Sequence, residues 1–110
     1  MNNLIARTFN EFPVSILMRE SEPWFIGKQI TDILGNDTRD LRKILDADEI
    51  SSATNVDSIH IAQNGGRSPL IVSEAGLYKL IMKSRKPVAK EFQRWVTHDV
   101  LPSLRQHGGT

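Results

Sequence analysis

The chain has 110 residues, 39% hydrophobic and 25% charged, with a formal net charge of +1 and no cysteine. That length supports one hydrophobic core, and the composition excludes disordered and fibrous classes. The missing cysteines exclude disulfides and thiolate metal sites, and no apolar run approaches the ~18 residues of a membrane span.

The N-terminus "MNNLIARTFNEF" lacks the apolar stretch of a secretory signal, so a cytoplasmic protein with no membrane contact is expected. Charge is unevenly spread. Residues 1–73 carry 7 Lys/Arg against 10 Asp/Glu, whereas residues 74–110 carry 7 against 3. A basic second half suits an acidic partner; it also suits an internal electrostatic match between two halves of one fold.

The first segment, "ARTFNEFPVSILMRESEPWFI", predicts strands. Val14, Ile16 and Met18 alternate with Ser15, Leu17 and Arg19, "ESEP" is a polar turn, and a hairpin or three-stranded antiparallel meander is expected. The period then changes. Ile26, Ile30, Ile33 and Leu34 keep helical spacing, with Gly35 placed as a C-cap. After "GND", "TRDLRKIL" predicts a second helix capped by Asp37 or Thr38, with Leu41, Ile44 and Leu45 inward. Two short helices around a tight turn give a helix-turn-helix-like outline.

Residues 46–58 are polar and predict a loop. "IHIAQNGGRSPLIVS" predicts a β-hairpin turning at "NGGRS", with Pro69 pushing the returning strand towards an edge or a strand start. Ser73 caps a helix carrying Leu77, Leu80 and Ile81 inward. Pro87 opens a last helix whose apolar face is Val88, Phe92, Trp95, Val96 and Val100. Pro102 is expected to end or kink it, and "QHGGT" to fray. The expected fold is α+β: N-terminal antiparallel strands, a short helix pair, a β-hairpin and two C-terminal helices. The domain spans 1–106, and 107–110 is a flexible tail or the start of a linker to a further domain.

No catalytic constellation is present. His60, His98 and His107 lack metal-ligand spacing, His98–Asp99 is a helix-surface pair, and the glycines form neither a Walker nor a dinucleotide pattern. A non-enzyme without metal or cofactor is expected. The basic residues carry more. Lys83, Arg85 and Lys86 cluster at a helix junction, and Lys90 and Arg94 continue along the outer face of the last helix, as phosphate contacts require. The same spacing also describes the solvated face of an ordinary amphipathic helix. Phe92 and Trp95 belong to the apolar face and serve as core anchors. Arg39, Arg42 and Lys43 on the second short helix are groove candidates, opposed by Asp37, Asp40 and Asp46. Arg67 at the hairpin tip is a minor-groove candidate or a solubilising turn residue.

The order of these motifs resembles the BRO N-terminal domain, a family that includes phage and prophage antirepressors and proteins of large DNA viruses. The likeness covers about residues 8–106. It is most specific in "EAGLYKLIMKSRKPVAKEFQRWV" and "VLPSLR", whereas Gly27 and Thr31 stand where relatives often carry alanine. The resemblance implies a DNA-binding module of a phage or prophage antirepressor-type transcription regulator, working in the bacterial host cytoplasm. The alternative is a protein-interaction domain that sequesters a phage repressor or mediates self-association as a homo-oligomer without contacting DNA.

Overall fold

Two tight turns organise the first half of the chain. In the computed structural model, which describes residues 3–52 and 69–108, β1 (Asn3–Phe9), β2 (Phe12–Arg19) and β3 (Glu22–Ile26) form an antiparallel meander. Asn10 and Glu11 (φ 48° and 71°) turn the first hairpin, and Glu20 and Ser21 (φ 50° and 67°) the second. Positive φ at both central positions is the two-residue hairpin geometry that matches strand twist.

The five-stranded sheet runs β1-β2-β3-β5-β4, every neighbouring pair antiparallel. β4 (Ile50–Ser52) lies inside the polar stretch expected to be a loop. Three residues carry no periodicity, and Ile50 becomes a strand residue only by pairing with Val72. β5 (Leu70–Ser73) is the expected returning strand, and Pro69 does stand before its start. It is not an edge, because β3 flanks it on its other side. The partner strand expected around Ile59 and Ile61, and Arg67 with its turn, lie outside the described residues.

The helices cover one face of this sheet. Ile16, Phe25 and Val72 pack there with Ile30, Leu77 and Phe92, all essentially inaccessible. Leu17, Ile26 and Ile71 form a smaller cluster apart from that core, with Leu4 and Trp24 against it. Leu17, expected outward by alternation from Ile16, therefore does point away from the main core yet is buried. α1 (Gly27–Leu34) buries Ile30, Ile33 and Leu34 and ends at Gly35 in the left-handed region (φ 80°). Gly27 has a local cause. A β-carbon there would stand 2.7 Å from Leu41 Cδ1 and 3.3 Å from the Leu70 carbonyl oxygen. Where β3 ends, the Ser15 N–H donates to Gln29 Oε1 at 2.6 Å, so α1 satisfies a strand donor beside it.

The second short helix is a 3₁₀ turn (Thr38–Asp40) followed by a single α turn, α2 (Leu41–Ile44). Its N-cap is Asp37, whose carboxylate accepts from the Arg39 N–H. α3 (Glu74–Lys83) starts at Ser73, whose Oγ accepts from the Gly76 N–H at 3.1 Å.

The last helix is neither ended nor broken at Pro102. α4 (Val88–Trp95) passes through a π-helical turn, Val96–Val100, into α5 (Leu101–Gly108), so residues 107 and 108, expected in the tail, are helical. Spacing explains the wide turn. Phe92, Val96, Val100 and Leu104 are all buried at steps of four residues. In a pure α-helix that series drifts by about 120°, and one extra residue in a turn recovers about 100° of it. Thr97 Oγ1 donates to the Gln93 carbonyl at 2.9 Å within the widened turn. No helix among the described residues is long and apolar enough to cross a membrane.

Candidate nucleic-acid interface

The basic ridge is built by two packed helices and the junction between them. Leu77, Leu80 and Ile81 anchor α3, which leaves Met82 and Lys83 outward at its end. Phe92 anchors α4 in an aromatic cluster. Its ring lies 5.2 Å from Phe9, edge to face, and 5.8 Å from Trp95. Phe92 and Trp95 are thus core anchors, and Lys90 and Arg94 are turned to solvent. Lys83, Arg85, Lys86, Lys90 and Arg94 are all exposed, and none makes an ion pair among the described residues.

The junction is fastened to α1. Ser84 Oγ donates to the Leu34 carbonyl at 3.2 Å, and the Lys86 N–H donates back to Ser84 Oγ at 3.3 Å. Lys86 lies over Gly35, where a β-carbon would meet its Cε at 2.5 Å and its Nζ at 2.8 Å. An ammonium at the C-terminal end of α1 is favourably placed against the helix dipole and its free carbonyls. Lys86 therefore has a structural role that charge and spacing did not announce. Only the glycine of the C-cap, far away in sequence, hints at something packed over it.

The groove candidates separate. Arg39 is held by Asp37, its Nη2 donating to Oδ2 at 2.9 Å. Those hydrogen bonds lower the Asp37 pKa from 3.8 to about 2 and raise that of Arg39. Arg42 and Lys43 are exposed without ion pairs among the described residues. One α turn after one 3₁₀ turn is shorter than the recognition helix that the helix-turn-helix outline implied. Arg67 lies outside the described residues.

Of the opposing acids, Asp46 is engaged elsewhere. Lys79 Nζ stands 3.0 Å from Asp46 and 2.9 Å from Glu49. Asp46, Asp48 and Glu49 bring their oxygens within 4.8 Å of one another. Two of the three, Asp46 and Glu49, already hold an ammonium, and Glu49 also accepts from the Asp46 N–H at 2.8 Å. These bonds, the backbone one foremost, push the Glu49 pKa down. His98 and Asp99 lie exposed on the π turn.

The sequence pattern of the BRO family, N-terminal domain, matches residues 13–102. The chain belongs to this family. A putative Bro-N domain-containing protein, 289L of Invertebrate iridescent virus 6, is 33% identical over 102 residues, covering 78% of this chain and 24% of that protein. An uncharacterised Haemophilus influenzae protein is 33% identical over 110 residues, covering 97% of this chain and 53% of that one. The chain thus spans between a quarter and about half of these relatives. Among solved structures, the N-terminal domain of Orf22, a Cydia pomonella granulovirus envelope protein, superposes with a TM-score of 0.67. Its identity is 13%, over 94% of this chain and 99% of that one, so the likeness is one of fold. The BRO-type fold is accordingly an antiparallel sheet with helices on one face, and the basic junction falls within the matched span.

Proposed function

We propose that this BRO N-terminal domain is a non-catalytic DNA-binding module of an antirepressor-type regulator acting in the host cytoplasm. The observation that carries the reading is the run of exposed cations without ion pairs, Lys83 and Arg85 at the junction and Lys90 and Arg94 along α4. Helices anchored by Leu80 and Phe92 hold the four in place, so little backbone ordering remains to oppose binding. Such a ridge neutralises phosphates and releases their counterions. Lys86 adds charge from its seat over Gly35, and Arg42 and Lys43 supply a second, smaller basic surface beyond that turn.

The test is titration against duplex and single-stranded DNA at several salt concentrations. Four phosphate contacts give a log–log salt slope of about −3 to −4 on duplex DNA. Absence of binding at low salt would overturn the proposal. Salt-independent capture of a phage repressor without DNA affinity would instead identify a protein-interaction domain.

A further inference from the structure

The two ends of α3 carry complementary surfaces. At its C-terminal end Met82 is 77% exposed, the most exposed large apolar side chain of the fold's described part, and Lys83 and Arg85 flank it. At its N-terminal end lie two adjoining depressions of about 280 Å³ each, which share Glu22, Pro23 and Glu74. Met18, Leu101 and Leu104 give the first an apolar floor. Trp24, Asp48 and Glu49 line the second.

The cations near this groove offset only part of its charge. Arg105 stands on the rim of the first depression. Arg19 lies over the Trp24 ring at 5.1 Å, and Lys79 is committed to Glu49 and Asp46. Glu22, Glu74 and Asp48 make no ion pair among the described residues. The result is an apolar floor with a carboxylate rim. That is the negative image of the exposed methionine with its cationic flanks.

Within one chain the two surfaces stand at opposite ends of the ten-residue α3, about 15 Å apart along its axis. We propose that the groove of one copy receives the Met82 knob of a second copy. Met82 enters the floor over Met18, Leu101 and Leu104, while Lys83 and Arg85 meet Glu22, Glu74 and Asp48. An interface joining unlike surfaces is head-to-tail, and it propagates unless its rotation closes a ring. The contact employs Lys83 and Arg85, so a copy engaged this way withholds them from DNA. The inference stands without the DNA reading, and its test contains no nucleic acid.

Sedimentation of the whole chain is expected to show mass rising with concentration at low salt and falling to the monomer at high salt. Glu22→Lys/Glu74→Lys reverses the groove, Lys83→Glu/Arg85→Glu reverses the knob, and each variant alone is a monomer. Mixed, they associate again, the two variants alternating, because the unchanged knob of one meets the unchanged groove of the other and the two reversed surfaces also match in charge. The milder Glu22→Gln/Glu74→Gln variant lowers the self-association without reversing charge, and circular dichroism checks that every variant is folded. A wild-type chain that stays monomeric at low salt overturns the proposal. So does a mixture of folded variants that yields no mixed assembly.

Discussion

Lys86 occupies the space that a β-carbon on Gly35 would take. The contact joins the helix junction to the end of α1, and it makes Gly35 doubly restricted, by its φ of 80° and by the lysine above it. Gly35→Ala is expected to destabilise the fold by about 1–2 kcal/mol, the cost of a left-handed residue bearing a side chain. Lys86→Ala is expected to cost up to about 1 kcal/mol through the lost charge at the helix end. Urea unfolding midpoints measure both.

Lys90 and Arg94 make no comparable contact. Alanine at either position is expected to leave the unfolding midpoint within about 0.5 kcal/mol of the parent. Each is expected to reduce the salt slope of duplex binding by about 0.9, one phosphate's share. Phe92→Ala, on the buried side of the same helix, costs about 3–5 kcal/mol and reports on the core instead.

The second hairpin turn holds two non-glycine residues at positive φ, Glu20 and Ser21. Replacing the pair by Asn-Gly suits the turn geometry. The expected gain is about 1 kcal/mol, since relief of left-handed strain exceeds the added chain entropy of glycine. A thermal melt of the double variant checks the direction.

Acid should act through Asp37 and Glu49. Both have folded pKa values below their ordinary 3.8 and 4.5, that of Asp37 reaching about 2. A depressed carboxylate contributes stability above its unfolded pKa and loses it as pH falls through the folded one. Unfolding free energy is therefore expected to decline as pH drops from about 4.5 towards about 2. Asp37→Asn and Glu49→Gln should each flatten that decline. The readout is denaturant titration across this pH window.

Periodicity carried much of the fold. Ile26, Ile30, Ile33 and Leu34 are all buried as spaced, Gly35 is the C-cap, and Ser73 caps α3. These are local effects, set by residues within a turn or two of each other. What escaped is non-local. Ile50 joins the sheet through Val72, and Ser84 finds its acceptor on Leu34 across fifty positions. The π turn is hidden for a different reason: four-residue spacing from Phe92 to Val100 reads as ordinary helix periodicity, and only Leu104, also buried, extends the series far enough to require a wider turn. In the candidate interface the cations were legible as charge. That Arg39 is tied to Asp37, and that Lys86 is seated on a glycine, depends on backbone placement that composition does not encode.

Ser52 and Leu70 face each other in register on adjacent strands, so the chain leaves the sheet and returns to it at a single rung. Closing a segment between two fixed adjacent points grows only with the logarithm of its length, about 0.6 kcal/mol per doubling. The change in closure cost on lengthening or shortening the connection between these two anchors is therefore small. Replacing 53–68 by a short Gly-Ser bridge leaves these two anchors one rung apart, and the ridge-dependent salt slope of DNA binding is expected to persist.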